Sequence, residues 1–223
     1  MFAGMDGRAD LLAEIGQEMR ETAQWTGRGE LSPRVAAAMA KVAREAFVPP
    51  GSQAAAYENR PLPIGHGQTI SQPFVVALMT ELLDLKPDHK VLEVGTGSGY
   101  QAAILAELVG EAWSIEVIPE IAARAAVALA GQGEANVQLR TGDGGQGWPE
   151  RGPFDAIIVT AAASEVPPAL IEQLRPGGRM VIPIGPRDGD QELLLITKDA
   201  TGHVARRSVL PVAFVPLTGN GRD

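Results

Sequence analysis

The sequence predicts an α/β fold: a doubly wound, Rossmann-like, mostly parallel sheet with helices on both faces, a helical N-terminal extension and an antiparallel C-terminal strand pair. Three observations carry this. Residues 91–109 read as strand, glycine turn and helix, in the order Val-Leu-Glu-Val, Gly-Thr-Gly-Ser-Gly-Tyr, then a helix-compatible run from Gln101. Apolar strand patterns recur at 113–117, 137–141, 154–160 and 180–184, alternating with helical stretches, which implies right-handed crossovers and parallel pairing. Residues 192–198 and 209–215, joined by Asp199-Ala200-Thr201-Gly202, read as two further strands in a hairpin.

The elements follow in order. Leu11, Leu12, Ile15, Met19 and Ala23 share one face at helical spacing, and Thr26-Gly27-Arg28-Gly29 ends that helix. Ser32 and Pro33 have the types of an N-cap and a first helical residue; Val35, Met39, Val42 and Phe47 then line a second helix, closed by Pro49-Pro50-Gly51. Residues 57–73 read as an irregular loop fixed by prolines and glycines, with His66 a loop residue rather than a base. Ser71 is placed to cap the apolar helix at 74–85, and a rigid loop feeding a helix start is also a place to hold a ligand. A short helix at 169–174 is ended by Pro176-Gly177-Gly178. No linker divides the chain, so one domain is expected over 1–223: a helical extension at 1–50, a candidate ligand-binding loop at 57–73, an α/β core at 91–184 and C-terminal strands at 190–218.

Composition narrows the partners. A net charge of −8 without a basic block argues against nucleic acid and anionic membrane surfaces. Absence of cysteine rules out disulfides and thiolate metal sites, and His66, His89 and His203 lack ligand spacing, so no metal is expected. Neither a leader pattern nor a long apolar run is visible, from which a soluble, cytoplasmic protein is expected.

The glycines at 95, 97 and 99 let the backbone approach a ligand, and the following helix start favours an anionic group. Their G-x-G-x-G spacing departs from the G-x-G-x-x-G dinucleotide fingerprint, so a pyrophosphate is not the obvious guest. Glu116 ends the second strand at about the separation where a carboxylate accepts both ribose hydroxyls. Asp143-Gly144 ends the third. Individually these are a solvated charge and an ordinary turn; together they describe one crevice.

The residues that carry a resemblance are Ile64-Gly-His-Gly-Gln-Thr-Ile-Ser-Gln-Pro73, Val91-Leu-Glu-Val-Gly-Thr-Gly-Ser-Gly-Tyr100, Gly142-Asp-Gly-Gly-Gln-Gly-Trp-Pro149, Pro153-Phe-Asp-Ala-Ile-Ile-Val-Thr160 and Phe214-Val-Pro-Leu217. Over residues 31–218 the chain resembles the protein-L-isoaspartate O-methyltransferases, with Ala43 where the family has a Pro and Asn59 where an Asp is usual. The resemblance implies a class I methyltransferase using S-adenosylmethionine and releasing S-adenosylhomocysteine, with Ser71 at the active site. It implies cofactor contacts from Gln68, Thr69, Ile70, Glu93, Gly95, Thr96, Gly97, Ser98, Gly99, Glu116, Asp143, Gly144 and Thr218, and substrate contacts from Ile64, Gly65, Val215 and Pro216. The implied acceptor is the α-carboxylate of an L-isoaspartyl residue in an age-damaged protein, with the β-carboxylate of D-aspartyl as a second, and a monomer is expected.

The chemistry suits the residues. A carboxylate is ionised at neutral pH, so its attack on a sulfonium methyl needs no general base, and opposite charges that fade in the transition state favour a dry, aligned site. A methyltransferase for another small-molecule or protein acceptor would keep the glycine turn but leave residues 64–73 unexplained. A non-catalytic regulator would require a broken site, and a nicotinamide dehydrogenase a different glycine spacing. Asn220-Gly221 is the expected site of isoaspartate formation in the chain itself, since glycine leaves the attacking amide unhindered.

Overall fold

A computed structural model describes residues 3–186 and 188–219; Asn220-Gly221 lies outside the described residues. The chain opens with α1 (Ala3–Thr26) and α2 (Pro33–Lys41), then the hairpin β1 (Leu62–Gly65) and β2 (Gln68–Ile70), then α3 (Pro73–Leu83). The alternating core is β3 (Lys90–Val94), α4 (Tyr100–Ala106), β4 (Glu111–Glu116), α5 (Pro119–Gln132), β5 (Val137–Thr141), β6 (Phe154–Val159) and α6 (Pro168–Gln173). It closes with β7 (Leu174–Ile184), β8 (Gln191–Lys198) and β9 (Val204–Val212). The seven-stranded sheet has the order β5-β4-β3-β6-β7-β8-β9, parallel from β5 to β7 and antiparallel across β7-β8 and β8-β9. The predicted fold class holds.

Period-two alternation sends the two halves of each strand to opposite faces. Val91, Ala156, Ile158 and Val181 join α1 to α5 in the larger apolar cluster, while Leu92, Val94, Ile157 and Val159 meet α6 and Trp148 on the other face. The expected face of α1 is buried through Leu11, Ile15 and Met19.

Several elements differ from the sequence reading. The second helix stops at Lys41, because Val42 and Ala43 turn extended, and Arg44–Phe47 follows as a 3-10 turn. That break carries Arg44 inside, where its fully buried guanidinium donates to the carbonyls of Ala56, Arg60 (3.2 Å) and Ser71 (3.0 Å). Burial pushes the guanidinium down to about 10, partly offset by Tyr100, whose ring it faces.

Residues 57–73 are not merely irregular. They form the β1-β2 hairpin, turned at His66 (φ 53°) and Gly67 (φ 71°), with Leu62, Ile64 and Ile70 facing inward. Pro61 and Pro63 hide it from a strand pattern. Ser71 does not cap α3: the cap position is Gln72, without a side-chain bond, and Asn59 Oδ1 accepts from Phe74 N at 3.0 Å. Pro176-Gly177-Gly178 does not separate a helix from a strand but bulges within β7, where the register on β6 jumps from Phe154↔Leu174 to Ala156↔Arg179. β9 begins at Val204 and ends at Val212, earlier at both ends than its apolar pattern suggests. Ala205 to Ser208 are exposed, the polar dress of an edge strand.

Candidate active site

The cleft lies at the carboxyl ends of β3, β4 and β6, where the strand order reverses beside β3. Gly95 follows β3 at φ 98°, and a Cβ there would come within 2.6 Å of Thr160 Oγ1, so the backbone turn requires glycine. The amides of Gly95 and Thr96 donate to Ile115 O at 2.9 and 3.1 Å, which ties the turn to the end of β4. Glu116, 6% exposed, accepts from Gly97 N at 2.8 Å through Oε2 and from Ile118 N at 3.0 Å through Oε1. Each oxygen is thereby fixed with acceptor capacity to spare.

Of the expected residues, Gln68, Thr69, Ile70, Ser71, Gly95, Thr96, Gly97, Ser98, Glu116, Gly144, Val215, Pro216 and Thr218 line this cleft. Five do not. Glu93 is wholly buried beneath the glycine turn: Ser114 Oγ donates to its Oε2, and Ser114 Oγ lies 2.6 Å from Thr96 Oγ1, so it props the turn from below. Burial pushes its carboxyl up to about 8, opposed by the Ser114 hydrogen bond and aided by Glu116. Asp143 caps the 3-10 turn Gly144–Gln146 through Gly145 N at 2.9 Å, and Gly219 packs against its carboxylate. Gly99 is the cap of α4 at φ 90°, packed on α5. Ile64 lines a neighbouring apolar pocket with Phe47, and Gly65 faces the Arg124 guanidinium.

The sequence reading missed Gln101, Tyr100, Val117, Ile118 and Thr160, which also line the cleft, as does Leu217 of the C-terminal motif 214–217. Thr160 was visible as the last residue of a strand whose neighbours all end at the crevice. The rest had no signal of their own. The closing segment runs beside 161–163, with Ala162 N donating to Val215 O at 2.8 Å and Leu217 N to Ala162 O at 2.7 Å. The buried Gln191 amide grips it, donating to Phe214 O at 3.1 Å and accepting from Phe214 N at 2.7 Å.

A second cavity, a groove between the hairpin and residues 210–215, shares Thr69, Ser71, Thr160 and Val215 with the cleft. Ser71 Oγ faces this junction without a hydrogen bond among the described residues, while the Ser71 carbonyl is held by Arg44. Tyr100 and Glu116 are the ionisable side chains of the cleft wall, and burial pushes the Tyr100 phenol well above its usual range. The arrangement can hold a polar ligand but provides no group poised to take a proton at neutral pH.

A doubly wound sheet whose glycine turn, strand-end carboxylate and C-terminal segment meet at one cleft defines a methyltransferase of the class I architecture. The chain belongs to the protein-L-isoaspartate(D-aspartate) O-methyltransferase family, whose profile matches residues 21–222. The match thus begins earlier than the resemblance over 31–218 suggested. Similar chains include protein-L-isoaspartate O-methyltransferase 2 of Syntrophobacter fumaroxidans, 56% identical over 212 residues, covering 95% of this chain and 86% of the relative. The protein of the same name from a Polaromonas species is 56% identical over 209 residues, covering 94% and 99%. Among solved structures, a protein-L-isoaspartate O-methyltransferase superposes with a TM-score of 0.82 at 31% identity, covering 96% of this chain and 66% of the other. A Plasmodium falciparum structure, titled a putative member in complex with S-adenosyl-L-homocysteine, gives a TM-score of 0.75 at 27% identity, covering 91% and 97%.

Proposed function

We propose that the protein transfers a methyl group from S-adenosylmethionine to the free α-carboxylate of L-isoaspartyl residues, and to the β-carboxylate of D-aspartyl residues, in damaged proteins, the step that starts their repair. The observation that carries this is the junction at Ser71: the cleft and the groove share Thr69, Ser71, Thr160 and Val215, so a cofactor in the one and a peptide in the other meet there.

The cleft residues fit the cofactor. Its ribose hydroxyls, ammonium and adenine amino group are donors, and acceptors are what the site leaves open: the Glu116 carboxylate and Gln101 Oε1, buried without a partner among the described residues. When bound, the cofactor supplies a methyl on a positively charged sulfur. Glu116 holds the ribose, Gly144 the adenine end with Asp143 bracing its turn, and Gly95 to Ser98 the amino-acid end. The closing segment 215–218 excludes water, and the hairpin aligns the acceptor. Ser71 orients the acceptor carboxylate or its flanking peptide by donating a hydrogen bond. An acceptor already ionised needs no base, which suits a wall whose ionisable members are Glu116 and an unionised Tyr100.

A monomer acting in the cytoplasm without nucleic-acid or membrane partners goes with this reading. The net charge of −8 supports it, and among the described residues no helix is long and apolar enough to cross a membrane. The test is methyl transfer from labelled S-adenosylmethionine to matched peptides containing isoaspartate or aspartate. Label on the isoaspartyl peptide alone is expected, and equal labelling or labelling of neither overturns the assignment. Ser71→Ala should lower turnover about three- to tenfold, the worth of one hydrogen bond, with cofactor affinity kept. A change in melting temperature with turnover intact would make Ser71 structural.

A further inference from the structure

The groove beyond Ser71 contains one charged side chain. Its wall is Pro61, Gln72, Phe74, Val75 and residues 210–215, together with Glu18 of α1. Glu18 is half-buried. Its Oε2 accepts from Asn59 Nδ2 at 2.9 Å and, at the limit of a hydrogen bond, from Gln72 Nε2 at 3.5 Å, while Oε1 has no partner and no cation pairs with it among the described residues. The nearest charges, Glu14 and Glu21, are of the same sign. Burial pushes the Glu18 carboxyl up, the Asn59 hydrogen bond opposes this, and Glu14 and Glu21 push further, as expected of a carboxylate lacking a counterion.

Asn59 links this carboxylate to the start of α3. As an amide it both caps α3 and donates to Glu18. A half-buried carboxylate that is amide-anchored through one oxygen and free at the other presents an unneutralised negative charge at the groove wall, to which a cation brought by the substrate is attracted.

We propose that the acceptor chain leaves the active site along this groove and that Glu18 selects substrates with a lysine or arginine near the isoaspartyl residue, discriminating against acidic neighbours. The inference rests on the isoaspartyl reading above. The groove provides apolar contact for a peptide, and the charge at its wall sets which side chain is welcome.

The experiment compares isoaspartyl peptides that differ only in carrying Lys, Gln or Glu at one of the positions flanking the isoaspartate, each assayed for kcat/KM at low and high salt. At one position or more, Lys should exceed Glu by about five- to tenfold, chiefly through KM, and added salt should shrink the ratio. Glu18→Gln keeps an acceptor for Asn59 and should bring the ratio close to unity; Glu18→Lys should invert it, which a merely structural role could not do. Equal use of Lys and Glu peptides by the unaltered protein, or a preference that survives both substitutions, overturns the proposal. The salt series on the unaltered protein stands even if a variant fails to fold: a Lys preference unmoved by salt also overturns it. Failure to methylate any isoaspartyl peptide would instead remove the underlying activity, a different result on the same plate.

Discussion

Glu93 and Glu116 leave adjacent strands, yet burial gives them opposite tasks. Glu116 is anchored by two amides at the cleft wall and can take further donors, whereas Glu93 sits wholly inside with Ser114 on one oxygen and nothing on the other. A ligand's donor cannot reach Glu93 Oε1 without entering the core, which is why the acidic residue at the head of the glycine motif supports the turn instead of lining the cleft. Its raised value, about 8 against an ordinary 4.5, fixes a sign. Between those pH values the folded chain keeps this proton and the unfolded chain has lost it, so the unfolded state binds fewer protons and stability falls as pH rises through the window. The slope from this one group is at most about 1.4 kcal/mol per pH unit and ends above the folded value. Urea denaturation at a series of pH values should show Glu93→Gln losing less stability than the parent from mildly acidic to mildly alkaline solution. Parallel pH profiles for the two proteins would mean that Glu93 is ionised in the fold.

At the scale of elements, the departure at Ala43 has a local meaning. The family proline would fall between α2 and the 3-10 turn, where Ala43 has φ −78° and ψ 93° and Val42 before it is extended at φ −71° and ψ 120°. Both suit an X-Pro pair, and no hydrogen bond to the Ala43 amide is found, so proline there forfeits no donor. Ala43→Pro should therefore stabilise the fold by about 0.4–1 kcal/mol through the unfolded chain, read as a higher urea midpoint, with methyl transfer kept because Arg44 still reaches the Ser71 carbonyl. A lower midpoint would show that the junction needs alanine's freedom. The same junction explains why element boundaries escaped the sequence. Val42 and Phe47 continue a helical stripe, and nothing local announces that a buried guanidinium must turn inward between them. The hairpin escaped for a similar reason: its prolines obscure the strands, and its inward side chains Leu62, Ile64 and Ile70 find their partners in distant helices.

Across the whole molecule, the parallel core was legible because each strand is a short apolar run followed by its own turn chemistry, and the cleft was legible because those turns recur at strand ends. Gln191 and Arg44 were not, since each acts through backbone atoms tens of residues away: Gln191 on Phe214, Arg44 on Ser71. The cleft is thus assembled from the hairpin, the ends of β3, β4 and β6, and the closing segment, and it exists only in the folded chain. A ligand confined to the folded state stabilises it by mass action, about 2.7 kcal/mol at a hundred times its dissociation constant. For a chain of this length that corresponds to a rise of roughly 5–10 °C in melting temperature. S-adenosylhomocysteine should produce such a rise, and NAD should not, because the glycine spacing provides no dinucleotide site. Glu116→Ala removes a charge-assisted acceptor for the ribose hydroxyls, which should weaken affinity about 10- to 100-fold and reduce the gain at the same ligand concentration to about 0.4–1.4 kcal/mol. Each protein is compared with its own ligand-free melting temperature, so any intrinsic destabilisation by the substitution cancels. A full shift retained in Glu116→Ala would remove Glu116 from the ribose, and an equal shift with NAD would return the cleft to the dinucleotide-binding class.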